Sequence, residues 1–313
     1  MSADVHASTA ANANTDVNAG TATNAGAGAE ATGAAPNRTT VLHLSDVHAT
    51  VGAPLYGAVD GIRRMHAASD YAQAAGVTPE VIVISGDLIE RRNEGAYPAL
   101  REALLELEAA WGVPVLTVLG NHDDRDAARI LPGHALPDDT LPRTAVPRAV
   151  HVGEWRFVLL DSSPGRLGSE QLAWLDAELA QPFGSGSIVV MHHPPLGSPL
   201  PMLARAGLGD AADFLDIVEG TDVRMILSGH FHHPLAATMR GVHVSVGPAL
   251  AYHQVMDAEP GTVSGFDRSM FSLVHLTPDG VSASSVTVEH PSPLFTLSPS
   301  PADPLSPRTV RSS

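Results

Sequence analysis

The sequence contains no cysteine. Disulfides and thiolate chemistry are therefore excluded, and the redox compartment is left open. Aromatic side chains make up only 4% of the 313 residues. Many alanines, valines and leucines compensate, and a chain of this length can bury a substantial core. Basic residues are also scarce: 18 Lys and Arg stand against 34 Asp and Glu, a formal charge of −16. That balance argues against a nucleic-acid partner, because polyanion binding needs clustered cations to displace counterions. It leaves room for a small anionic substrate where metal ions reverse the charge locally. No segment approaches the roughly 18 apolar residues of a membrane span. The N-terminus has neither the basic start nor the apolar stretch of a secretory signal, so cytoplasmic residence is the expectation.

Residues 1–38 are an Ala/Asn/Thr/Gly mixture of low complexity, expected to be disordered. Residues 291–313 read as a Pro/Ser-rich extended tail, and residues 39–290 as one domain. Within that body, short apolar runs predict strands over 39–45, 81–85, 113–119, 155–160, 187–191 and 224–227. Helices are predicted between them, over 57–75, 95–111, 124–131, 169–180 and 210–219, the fourth of these capped by Ser169. Three later runs, 242–246, 270–276 and 281–288, lack intervening helices and read as antiparallel strands. Repeated β-α units followed by hairpins predict an α/β fold of two sheets with helices outside.

Five polar segments follow these runs, which puts each on a loop at a strand's C-terminal end, where open α/β sheets bind ligands. Their oxygen and nitrogen donors suit hard or borderline divalent ions. In Asp46-Val47-His48, side chains at i and i+2 of an extended chain point the same way and can reach one ion. A solvated loop is the plain alternative. Asp87, after Gly86, has two oxygens with which to bridge two cations, although a turn or helix-cap aspartate has the same appearance. Gly120-Asn121-His122-Asp123 is more specific, because an amide oxygen is an uncommon but suitable ligand and the adjacent His122 is placed to face a substrate. Capping of the next helix, by Asp123 or Asp124, is its structural alternative. In His192-His193-Pro194 the adjacent imidazoles point oppositely, so one of the two is a ligand. Gly229-His230-Phe231-His232 repeats the i, i+2 spacing, with Phe231 turned into packing. Each segment alone has an ordinary structural reading. Their ordered conjunction carries the inference.

The order D-x-H, G-D, G-N-H-D, H-H-P-P, G-H-x-H resembles the calcineurin-like metallophosphoesterase superfamily, over about residues 39–290. Leu55-Tyr56-Gly57-Ala58-Val59-Asp60, Thr221-Asp222-Val223-Arg224 and Gly241-Val242-His243-Val244-Ser245-Val246 are similar to its class III cyclic-nucleotide phosphodiesterases. The resemblance implies a four-layer αββα sandwich, two mixed β-sheets flanked by helices. It also implies two divalent metal ions, iron or manganese first and zinc or cobalt as alternatives. One would be bound by Asp46, His48, Asp87 and His232, the other by Asp87, Asn121, His192 and His230. His192 is preferred to His193 because the family's ligand is the first residue of that dyad. His122 matches the family's catalytic histidine, with Asn121 beside it. His122, Asn121 and His48 would also touch the substrate, and His253 is the candidate pocket residue outside the motifs. In the implied reaction, water ionised between cations roughly 3.5–4 Å apart attacks phosphorus in line, and His122 protonates the departing alkoxide. Relatives often dimerise, so a homodimer is also to be tested.

Three functions fit. The first is hydrolysis of 3′,5′-cyclic nucleotides, cyclic AMP favoured. The second is hydrolysis of another small-molecule phosphodiester or a nucleotide pyrophosphate, such as a glycerophosphodiester or nucleotide-sugar. The third is a non-catalytic phosphoesterase-like scaffold, which would have no need of His122. Arg91, Arg92 and Arg125 lie near motif loops and could touch a phosphate. His43 reads as a buried core histidine or as a partner behind a metal ligand. Trp111, Trp155 and Trp174 read as core.

Overall fold

In the computed structural model, the described residues are 38–134, 147–290 and 292–296. The disorder expected over 1–37 and the tail beyond 296 fall outside them. The first half runs β1 (Thr39–Leu44), α1 (Gly61–Ala74), β2 (Val81–Ile84), α2 (Tyr97–Trp111) and β3 (Val115–Thr117). There follow β4 (Arg148–Val152), β5 (Trp155–Leu159), α3 (Ser169–Leu179), β6 (Gly186–Val190), α4 (Ala211–Val218) and β7 (Val223–Ser228). The chain closes with β8 (Leu235–Met239), β9 (Val242–Val246), the two-residue strands β10 (His253–Gln254) and β11 (Gly265–Phe266), then β12 (Met270–Thr277) and β13 (Gly280–Thr287).

One sheet has the order β13-β12-β1-β2-β3 and the other β4-β5-β6-β7-β9-β8, with β10 and β11 forming a separate ribbon. β1, β2 and β3 are parallel, as are β5, β6, β7 and β9. Both faces of the central strands are buried, which is why they read as continuous apolar runs. Along β1 and β2, Leu42, Leu44, Ile82 and Ile84 pack toward α1 and α2, whereas Val41, Val81 and Val83 face the other sheet. Ile188, Val190, Met225 and Leu227 meet them from β6 and β7. Val189 and Ile226 point out to α3 and α4. This period-2 partition over three apolar clusters builds the expected αββα sandwich. No helix among the described residues is long and apolar enough to cross a membrane.

Several local expectations differ. The edge strands β4 and β8 carry the half-exposed sequences RAVHV and LAATM, so no apolar run announces them. β9 is antiparallel to β8, as expected, but parallel to β7 in the second sheet, while β12 and β13 extend the first sheet in antiparallel fashion. Ser169 is the first residue of α3 rather than its cap. The turn before it is fastened instead by Asp210, whose carboxylate accepts from Leu167 N (3.1 Å) and Gly168 N (2.8 Å). Residues 124–131 yield only a 3₁₀ turn, Ala127–Ile130, started by Asp124 accepting from Asp126 N and Ala127 N. A segment that short cannot offset helix nucleation.

Candidate metal centre

All five motif loops leave the C-terminal ends of parallel strands, after β1, β2 and β3 in one sheet and after β6 and β7 in the other. They are laced together by backbone hydrogen bonds: His48 N donates to Asp87 O (2.9 Å), Asp46 N to Gly86 O (3.0 Å) and Gly229 N to His192 O (3.1 Å). Of the eight non-glycine residues with positive φ among the described residues, five are motif residues: Asp46 (54°), His48 (48°), Asp87 (48°), His230 (78°) and His232 (54°). Left-handed backbone is costly for such side chains and persists only where surroundings impose it, a pattern concentrated at functional sites. The i, i+2 convergence of Asp46 with His48, and of His230 with His232, therefore comes from alternating left-handed residues, not from an extended chain. Two glycines make the close approach possible. A Cβ on Gly120 would collide with the Asp87 carboxylate, and one on Gly86, itself at φ 97°, would lie 2.7 Å from the His192 ring.

Donor atoms of Asp46, His48, Asp87 and His232 all lie within 4.8 Å of one another, and so do those of Asp87, His192 and His230. Asp87 belongs to both sets. The hydrogen bonds on the far side of each imidazole decide what faces inward. His192 Nδ1–H donates to the Ser85 carbonyl (2.8 Å) and His232 Nδ1–H to the Tyr252 carbonyl (3.2 Å). His48 Nδ1–H donates to Glu90 Oε2 (2.9 Å). Carbonyls and carboxylates only accept, so these partners assign each neutral ring's inward Nε2 as a bare lone pair. Those lone pairs face carboxylate oxygens: His192 Nε2 and Asp87 Oδ2 are 3.3 Å apart, His232 Nε2 and Asp46 Oδ1 3.3 Å, and His48 Nε2 and Asp87 Oδ2 3.5 Å. His48 Nε2 and His232 Nε2 face each other at 3.2 Å. Buried acceptors cannot oppose one another without a proton or a cation between them. His192 Nε2 and Asn121 Oδ1, moreover, are buried with no hydrogen-bond partner. The residues present thus fit divalent ions, and the all-nitrogen and -oxygen donor set suits hard or borderline ones.

The electrostatics agree. Burial, which raises the Asp46 carboxyl, is outweighed by His232 and His192, and the group is held below the usual carboxylate range. Asp87 is likewise held low, burial being overcome by His192, His48 and His122. Burial alone would depress His192, but Asp87 beside it pushes the ring up to about 9, a proton standing where a cation could. Burial, then His192, pushes His230 down to about 4.

His122 stands at the edge of this cluster. Its backbone N donates to Asp87 Oδ1 (2.9 Å), its Nδ1–H donates to Glu90 Oε1 (3.1 Å), and its Nε2 is 3.9 Å from Asp87 Oδ2. Burial lowers the His122 pKa, but hydrogen bonding to Glu90 and the charges of Asp87 and Glu90 raise it overall. Glu90 was not singled out in the sequence, yet its two oxygens hold both His48 and His122. Its signal was its spacing, three residues after Asp87. Asp123 acts neither as a cap nor as a donor to the cluster. Its carboxylate accepts from Gly120 N (2.8 Å), Leu88 N (3.0 Å) and Ile89 N (3.2 Å), fastening the loop after β3 to the loop after β2.

Other expectations resolve individually. His193 turns away to Ser162 Oγ (3.2 Å), and Phe231 is fully buried in the helix-side core. His43 is buried with Nε2 2.8 Å from Ser85 Oγ, one residue's carbonyl away from His192. Arg125 is engaged by Ser163 and Asp161, while the Arg91 and Arg92 side chains are exposed. Trp155 is buried between the sheets, Trp111 donates to Ser69 Oγ (2.8 Å), and Trp174 packs against the core beneath α3 and α4. Asp222 accepts from Arg156, Phe183 N and Ser187 Oγ at the opposite end of β6 and β7, a structural tie. His253 is not brought to the cluster: its ring stacks on Phe266 at 5.1 Å. Its neighbour Tyr252 faces the site instead, 4.1 Å from the His232 ring and 6.1 Å from His48.

An αββα sandwich with two nitrogen/oxygen donor sets meeting on a shared carboxylate, at the C-terminal edge of both sheets, is the architecture of a metal-dependent phosphoesterase. The calcineurin-like phosphoesterase family matches residues 39–234, and the chain belongs to that family, a hydrolase. A Mycobacterium tuberculosis protein named cAMP/cGMP dual specificity phosphodiesterase is 36% identical over 248 residues, 77% of each chain. A probable cyclic nucleotide phosphodiesterase of Rhodococcus erythropolis is 33% identical over 242 residues, 75% of this chain and 79% of that one. Among solved structures, a dimetal phosphatase from Danio rerio matches the fold with a TM-score of 0.52 and 15% identity, over 80% of this chain and 99% of that one.

Proposed function

We propose that this chain hydrolyses 3′,5′-cyclic nucleotides, cyclic AMP favoured, through a catalytic domain spanning residues 39–290. The observation that carries the reading is the pair of donor sets sharing Asp87, with His122 poised 3.9 Å from it. The names of both relatives above support a cyclic-nucleotide substrate over other phosphodiesters.

Asp46, His48, Asp87 and His232 would hold one divalent ion, and Asp87, Asn121, His192 and His230 a second, with iron or manganese preferred. Bound there, the ions would supply Lewis-acid charge at the phosphoryl oxygens and lower the pKa of water. Asn121, whose buried Oδ1 has no hydrogen-bond partner, would give that oxygen to the second ion and leave its amide N–H groups to donate to a phosphoryl oxygen. Glu90 keeps the His122 ring oriented and raises its pKa, which favours the form whose Nε2–H can deliver a proton to the departing ribose oxygen. The Ser85 and Tyr252 carbonyls and Glu90 fix the tautomers of His192, His232 and His48, an arrangement that orients ligands and raises their basicity.

The test is turnover of cyclic AMP, bis-p-nitrophenyl phosphate and a glycerophosphodiester by manganese-loaded protein, beside Asn121→Ala. Cyclic AMP hydrolysis that collapses in the variant is expected. Turnover of the aryl diester without cyclic AMP would move the substrate to another phosphodiester, and no turnover at all would sink the catalytic reading.

A further inference from the structure

The loop between the first motif and α1 carries a tyrosine that the chemistry above does not use. Tyr56 is 77% exposed, and its backbone is left-handed, with φ 52°. A lone surface aromatic is ordinary, but a bulky residue held in that region is not. The loop imposes it: Leu55 N donates to Val59 O (2.8 Å), Val59 N to Leu55 O (2.9 Å) and Gly57 N to Pro54 O (3.0 Å). Buried Val59 and the Asp60 cap of α1 fix the far end. Nothing in this arrangement buries the ring, and the loop presents it to solvent.

Its position is set by an unbroken chain of ring contacts to the candidate metal centre. The Tyr56 and Tyr252 centroids are 5.7 Å apart at 69°, and Tyr252 lies 4.1 Å from His232 at 35°. Tyr252 is held in turn by the β10–β11 ribbon, where Gly265 leaves room for its ring. An edge-to-face pair leaves the face of the outer ring open. The two tyrosines therefore make a rigid aromatic corner beside the site, and such a face accepts any base by stacking, without a hydrogen-bond code.

We infer that Tyr56, backed edge-on by Tyr252, is the platform on which the substrate's nucleobase stacks, so that it sets affinity for nucleotides over base-free phosphodiesters. This rests on the cyclic-nucleotide reading above. It predicts a binding role: the ring contacts the base, away from the bond that breaks.

The experiment compares wild type with Tyr56→Ala and Tyr56→Phe, using cyclic AMP and the abasic 3′,5′-cyclic phosphate of 1-deoxyribose as substrates. Equilibrium binding of AMP to the same manganese-loaded proteins is measured in parallel. Tyr56→Ala should raise KM for cyclic AMP and weaken AMP binding by about tenfold or more, as loss of one base–aromatic stack does. Its kcat should be unchanged, Tyr56→Phe should behave as wild type, and the abasic substrate should not respond. Unchanged AMP binding in Tyr56→Ala overturns the inference, as does an equal rise in KM for the abasic substrate. Wild type that binds AMP through Tyr56 yet leaves cyclic AMP intact would refute the substrate assignment and leave the stacking platform standing.

Discussion

Asp46 and His192 are fully removed from solvent, whereas His122 and Glu90, at the edge of the same cluster, keep 22% and 20% of their side-chain exposure. The inner group is oriented largely by backbone: carbonyls of Ser85 and Tyr252 behind two rings, the amide of His230 on Asp46, and left-handed turns beneath the motif residues. The outer group is oriented by one flexible side chain, Glu90, and by aromatic contacts. Burial leaves the inner acceptors to share either a proton, as at His192 beside Asp87, or a cation. The outer imidazole can instead exchange a proton with solvent. On the proposed reading, one end of the site would hold charge and the other would move a proton.

The most severe way to break this division is at the shared carboxylate. Asp87→Ala should lower turnover of bis-p-nitrophenyl phosphate by about a thousandfold or more, the loss of several kcal/mol of metal charge stabilisation. Steady-state assay with excess manganese measures it, and near-wild-type turnover would mean that Asp87 bridges nothing. At the outer end, His122→Ala should cost about a hundredfold with cyclic AMP, a typical general-acid contribution. It should cost far less with bis-p-nitrophenyl phosphate, whose leaving group departs without a proton. Equal losses on both substrates would remove His122 from the proton-delivery role. Glu90→Gln is milder, about tenfold to a hundredfold, the usual effect of removing a partner behind functional imidazoles. Because the Glu90 charge raises the His122 pKa, its removal should move the alkaline limb of the pH–rate profile to lower pH.

The smallest effect sharpens the comparison from the inner side. In metal-free protein, His192 sits at about 9, above its ordinary value of 6.5. Its contribution to stability is therefore complete below pH 6.5 and lost as pH rises through about 9. Urea melts over this range should show that loss in metal-free protein, and manganese should abolish it by taking the proton's place. A metal-free protein equally stable across the range would contradict the inward-facing lone pairs.

Much of the inner group was legible because its segments come in an ordered series, each after an apolar run, and that order resembles a known family. Asp46, His48, Asp87, His192, His230 and His232 converge as anticipated, but through left-handed turns that spacing alone does not reveal. The outer group was not legible. Glu90, one acidic residue after a motif, looks like any solvated carboxylate until the fold brings His48 and His122 to its two oxygens. Tyr252 and His253 alternate along one segment, and only the contact of the β10–β11 ribbon with the site selects which of them faces it. The edge strands β4 and β8 escaped notice for a related reason, since half-exposed strands dilute the apolar signal with polar residues.

On the proposed reading, two cations share Asp87 at the edge of the sheets. Crystals of manganese-loaded protein, measured at the manganese absorption edge, test it most directly. Two anomalous peaks flanking the Asp87 carboxylate are predicted, one within reach of Asp46, His48 and His232 and the other of Asn121, His192 and His230. A single peak, or peaks away from Asp87, would contradict it.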